Sequence, residues 1–127
     1  MRLGTIDHSC PYASKQGHGE NLALHWNYPN VSDVIQDSVQ AWYDEVNGYN
    51  FDDPEKSRGI VGHFTQLVWN TSHWVGMDAI ETEDYKTYVV AVYDPPGNVQ
   101  QWGALAPGGQ FGLYKRNVLP RNGGPAT

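Results

Sequence analysis

Cysteine is almost missing from this sequence: Cys10 is the only one among 127 residues. No intrachain disulfide can form, whereas small secreted domains commonly depend on several. The reading is therefore of a protein from a reducing compartment, with Cys10 an ordinary thiol. Clustered positive charge is lacking too. The formal net charge is −6, and the small basic patch of Lys115, Arg116 and Arg121 does not offset it. Nucleic acid is excluded as an expected partner, because it requires a basic footprint. No apolar run approaches the ~20 residues of a membrane helix. The opening MRLGTIDHSC reads as neither a signal peptide nor a myristoylation site. His63 is followed by Phe-Thr-Gln, so the zinc-protease pattern HExxH is absent. There is likewise no G-x-S-x-G elbow, no phosphate-binding P-loop and no CxxC pair.

Aromatic residues are plentiful, at 13% with five Trp and eight Tyr, and 39% of the chain is hydrophobic. That composition suits a single domain over 1–127 with one core and a frayed tail at 121–127. Residues 1–20, rich in Gly, Ser, His and Pro, read as irregular. Leu22, Leu24 and Trp26 alternate within GENLALHW, which predicts a half-buried strand over 19–26 with Glu20 at its start. After the NYPN turn, residues 32–46 read as an amphipathic helix with Ser32 as N-cap and Gly48 past its end. A short helix is expected over 62–69 and strands over 74–80 and 85–93. The second of these is apolar enough to be central. The DPPGN turn follows, then mostly loop, with NVLP at 117–120 as a short edge strand.

Within the predicted long helix, at about 100° per residue, Val31, Val34, Ile35, Val39, Trp42 and Val46 share a face. Glu45 falls beside that face, while Asp37 and Asp44 point away. An inward carboxylate requires a partner or must lose its charge. His63 sits in the first turn of the short helix, and His8 lies in the opening loop. Two histidines and two glutamates can ligate a divalent ion such as Zn2+, or can simply hydrogen-bond to one another. Residue types alone do not choose between these.

The motif GHFTQLVWNTS at 62–72, together with HS at 8–9, GEN at 19–21, WYDE at 42–45 and YVVAVYDPPGNV at 88–99, resembles the CAP superfamily. These are the cysteine-rich secretory, antigen 5 and pathogenesis-related proteins, also called the SCP domain. The likeness runs from about His8 to Pro120. YNF at 49–51 and the terminal NVLP resemble the cysteine-poor, Golgi-associated branch. The resemblance implies an α/β (α+β) fold: a three-layer α-β-α sandwich with a central antiparallel sheet. It implies that His8, Glu20, Glu45 and His63 form a cleft tetrad, supported by Asn21 and Gln66. His18 competes with His8 for its place. Members begin with a long helix, and this sequence starts almost at His8. The expectation is either an incomplete gene sequence or a domain lacking that helix, with the uncovered face closed by a homodimer contact or another partner.

The function implied is non-enzymatic binding of lipid (sterol, fatty acid or anionic phospholipid) or of a protein partner, with Tyr49 and Phe51 as candidate lipid contacts. No cofactor is required, although Zn2+ could be held by His8 and His63 with Glu20 and Glu45. An alternative is a metal-dependent, protease-like hydrolase using the same four residues, although no nucleophile or oxyanion hole is evident. A third reading is a tetrad that only ties loops together. The branch likeness implies an intracellular, membrane-peripheral location on the Golgi or other membranes, with the extracellular space as the alternative.

Overall fold

The computed structural model describes residues 17–27, 30–101 and 109–121. His8, Ser9, Cys10 and the tail at 122–127 lie outside the described residues, so the expectations that fall there are not taken further. Three strands, β1 (Gly19–Trp26), β2 (Trp74–Glu81) and β3 (Lys86–Asp94), form one antiparallel sheet in the order β1-β3-β2. The helices are α1 (Val31–Asp44), α2 (Gly62–Val68) and α3 (Gly112–Asn117), with short 3-10 turns at Glu45–Gly48 and Pro54–Lys56.

β3 is the central strand, as its uninterrupted apolar pattern requires of a strand flanked on both edges. Opposite residues of an antiparallel pair share a face. Asn21, Ala91 and Met77 are therefore aligned, as are Ala23, Val89 and Ala79. α1 lays Val34 and Trp42 against that face, where they join Val89, Ala91 and Tyr93 in a buried cluster. Full burial of such a side chain stabilises by about 1.5–3 kcal/mol. The indole N–H of Trp42 also donates to the Leu22 carbonyl at 3.3 Å, which ties α1 to β1.

A second cluster gathers Tyr49, Phe64, Trp69, Tyr114 and Val118. It accounts for a difference from the sequence expectation: 112–117 is helical, and NVLP is not an edge strand. Tyr114 packs edge-on to Trp69 and Phe111, with centroids 5.0 and 5.2 Å away. That tertiary burial stabilises a helix too short to stand alone. A smaller correction concerns the start of α1. The N-cap is Asn30, whose side-chain oxygen accepts from the backbone N–H of Ser32 (2.8 Å) and Asp33 (3.4 Å). Either residue type can cap a helix, and the helix starts one residue before the predicted position.

Candidate functional site

The end of α1 and the start of α2 meet through Glu45. A helix start leaves its first backbone N–H groups without intrahelical partners. No side chain of the N-cap residue Val61 supplies one. Glu45 does so from 18 residues upstream: its Oε1 accepts the backbone N–H of His63 at 2.9 Å and of Phe64 at 3.0 Å. Its Oε2 lies 2.8 Å from His63 Nδ1. Both side chains are largely buried, at 17% and 23% exposure. One carboxylate thus completes the helix start and fixes the imbed of the imidazole ring. Charge-assisted bonds of this type are roughly twice as strong as neutral ones.

The ring is held from a second side by Trp42, stacked at 6.1 Å with 14° between planes. A third hold comes from Asn21, buried to 1%. Its Nδ2 donates to the His63 carbonyl at 3.0 Å and to the Tyr93 hydroxyl at 3.3 Å. Burial pushes the Tyr93 phenol up to about 12, against the opposing effect of the Asn21 bond. Glu20 precedes Asn21 in β1, paired with Val92, and its carboxylate oxygens are buried. The structure therefore joins Glu45, His63 and Asn21 directly and sets Glu20 next to Asn21 in the chain. His8 lies outside the described residues, and His18 stands 3.9 Å from an Asp94 oxygen. Among the described residues, no group of three or more His, Cys, Asp or Glu is gathered closely enough to hold a metal ion.

Gln66, also 1% exposed, accepts from the Gly97 N–H at 2.8 Å and donates to Ser72 Oγ at 3.1 Å. Asn98 is a support that the sequence reading passed over as turn chemistry. It takes a left-handed backbone (φ 56°) and accepts from the Thr65 hydroxyl at 2.5 Å. It also donates to the Gly62 carbonyl at 2.8 Å. The signal was available, since Asn is one of the few residues that tolerate such a backbone.

Of the two candidate lipid contacts, Tyr49 is in the core at 8% exposure, against Phe51 at 4.9 Å and Phe64 at 5.6 Å between centroids. Burial, with a smaller contribution from Tyr114, pushes its phenol up to about 12. Phe51 is half-buried. Both line an open cavity of about 420 Å³ that also includes Asn47, Asn50, Lys56 and Arg58.

An antiparallel sheet with helices on it, and a carboxylate-clamped histidine at a helix start, define a mixed α/β protein of the α-β-α sandwich class. A crystal structure of NaASP2 with Zn2+ shares that fold, with a TM-score of 0.58 and 26% identity over 76% of this chain and 53% of that one. The chain belongs to the cysteine-rich secretory protein (CAP) family, whose pattern matches residues 5–93. It is 35% identical over 116 residues to the human Golgi-associated plant pathogenesis-related protein 1, covering 91% of this chain and 65% of that protein. It is 35% identical over 98 residues to venom allergen 5.02 of Vespa crabro, covering 72% of this chain and 46% of the allergen. The chain thus spans less than two thirds of either relative.

Proposed function

We propose that this chain is a non-enzymatic binding module that takes an anionic amphiphile, such as an anionic phospholipid or a fatty acid. The observation that carries the reading is the open cavity of about 420 Å³. Its volume lies in the range of small-molecule sites. Phe51 offers apolar surface at the cavity edge, and Arg58 and Lys56 offer positive charge beside Asp52, with Lys56 3.8 Å from an Asp53 oxygen. That pairing of charge and aromatic surface supports an acidic headgroup over a sterol. The name of the human relative supports a Golgi or other intracellular membrane as the place of action. The name of the Vespa crabro relative supports the extracellular alternative.

The test is co-sedimentation with vesicles of phosphatidylcholine alone and with added phosphatidylserine. Binding that needs phosphatidylserine, weakens with salt and is lost in the Lys56→Glu/Arg58→Glu double variant is the expected result. Equal binding to both vesicles, or no binding by folded protein, overturns the reading.

A second reading keeps a metal in the cleft, favoured by the Glu45–His63 bond. A metal-ligating histidine typically donates its other ring N–H to a carboxylate. The pair fits that pattern, with Nδ1 turned to Glu45 and Nε2 the nitrogen that would ligate. His63 with Glu20 would then hold the ion, while Glu45 would orient the ring. A bound Zn2+ would supply an acidified water, the chemistry that a hydrolase needs. Calorimetric titration with Zn2+ tests this reading: saturable binding that His63→Ala abolishes is expected, and no binding by folded protein overturns it.

A further inference from the structure

We infer that Gln66 is a positioning residue that sets the gap between the strand start carrying Glu20 and the helix carrying His63. The inference rests on the second reading, a metal held in that cleft, and it concerns how the cleft holds its width. Gln66 lies three residues after His63 on α2, and its side chain is buried. Its carboxamide is wedged between two glycines on other segments. A Cβ added at Gly19, the residue before Glu20, would lie 1.9 Å from Gln66 Oε1. A Cβ added at Gly97 would lie 2.6 Å from Gln66 Nε2 and 2.9 Å from Trp69 Cγ. Neither glycine has a left-handed backbone. Both are therefore small because the amide occupies the space, not because the chain must turn there.

The polar contacts make the wedge directional. Oε1 accepts the Gly97 N–H at 2.8 Å, and Nε2 donates to Ser72 Oγ at 3.1 Å. Ser72 Oγ in turn donates to the Pro95 carbonyl at 2.7 Å. One buried amide thus bonds α2 to the turn after β3 and the turn after α2, and packs against the start of β1 at Gly19. A buried polar group with fixed partners holds one arrangement, because any displacement leaves it unsatisfied. Asn21 bridges β1 to the His63 carbonyl on the far side of Glu20. The strand start is therefore held against α2 on both sides of Glu20, by Gln66 at Gly19 and by Asn21.

The test is a double-mutant cycle on the full chain, with Gly19→Ala, Gln66→Ala and the pair. It is read by the His63 imidazole carbon–proton resonance in NMR and by thermal unfolding. Gly19→Ala is expected to shift the ring resonance and lower Tm. Removing the amide in the same protein is expected to return the resonance to its position in Gln66→Ala alone. A ring resonance unmoved in folded Gly19→Ala, or strictly additive effects, overturns the inference. If Gly19→Ala does not fold, Gly97→Ala replaces it in the same cycle with the same criteria. Zinc and vesicle binding are not read in this cycle, so failure of the functional reading leaves its outcome intact.

Discussion

Glu45 and His63 are bonded twice. One carboxylate oxygen accepts the His63 backbone N–H at 2.9 Å, and the other lies 2.8 Å from its ring Nδ1. The same residue thus fixes where α2 begins and how its first side chain is turned. A change at Glu45 moves the helix start and the site together.

Replacing Glu45 with Gln tests this coupling. The amide keeps one acceptor oxygen but loses the charge and places an N–H donor where an acceptor stood. Unfolding in denaturant should show a loss of about 1–3 kcal/mol, the range for a bond to a charged group and the desolvated partner left behind. An unchanged midpoint would show that the carboxylate is dispensable to the helix start.

Asn98 should rank by backbone as much as by bonds. Asn98→Ala loses both the Thr65 and Gly62 contacts and the polar side chain that lets Asn tolerate φ 56°, costing about 2–4 kcal/mol in all. Asn98→Gly loses the same bonds without the backbone strain and should be the milder variant. Chemical denaturation of the two decides. A glycine variant as unstable as the alanine one contradicts the backbone argument.

Tyr49 and Tyr93 carry the alkaline limit of the fold. Both phenols are raised from 10.0 to about 12, in each case chiefly by burial. The raised folded value means that the fold favours the neutral form. That contribution is fully present below pH 10 and is lost as pH rises from 10 to 12. The loss is roughly 2–3 kcal/mol for each group. Tm should therefore fall across that window, and less steeply in either Phe variant. A flat profile to pH 12 would contradict it.

At neutral pH the same two tyrosines should differ. The Tyr49 hydroxyl is buried with no hydrogen-bond partner among the described residues. Tyr49→Phe should then be neutral or slightly stabilising, because removing a buried unsatisfied group removes its desolvation cost. Tyr93→Phe removes an acceptor of Asn21 and should cost about 0.5–1.5 kcal/mol. Thermal unfolding of the pair gives the order, and a Tyr49→Phe variant less stable than Tyr93→Phe contradicts it.

Trp74 begins the edge strand β2 and is 73% exposed, with Ile80 on the same face also open to solvent. Trp74→Ser should leave stability within about 0.5 kcal/mol. It should also reduce concentration-dependent association in sedimentation velocity, since exposed apolar patches drive contacts. An unchanged sedimentation profile would show that the patch is not adhesive.

Local pattern was enough for the strand over 19–26, the central strand, the long helix and the short helix at His63. Helical periodicity over 32–46 put Glu45 beside the apolar face, although α1 ends at Asp44 and Glu45 opens the 3-10 turn that follows. The Asn21 contact was not legible, because a polar residue next to Glu20 and out of phase with Leu22, Leu24 and Trp26 looks solvent-facing until α2 is placed over it. The helix at 112–117 was missed for a related reason. PGGQFG signals a turn, and only the burial of Tyr114 and Val118 against Trp69 and Phe64 makes a helix worth forming there.

The family, the candidate residues and every element type except the helix at 112–117 were readable from the chain alone. These rest on motif identity and on side-chain period. The packed fold alone shows that Glu45 caps the helix it precedes, and that Gln66 fills the space left by Gly19 and Gly97. It also placed Tyr49 inside the core and left Phe51 at the cavity edge. Each of these depends on contacts between segments distant in sequence, where packing and the satisfaction of buried polar groups override local preference.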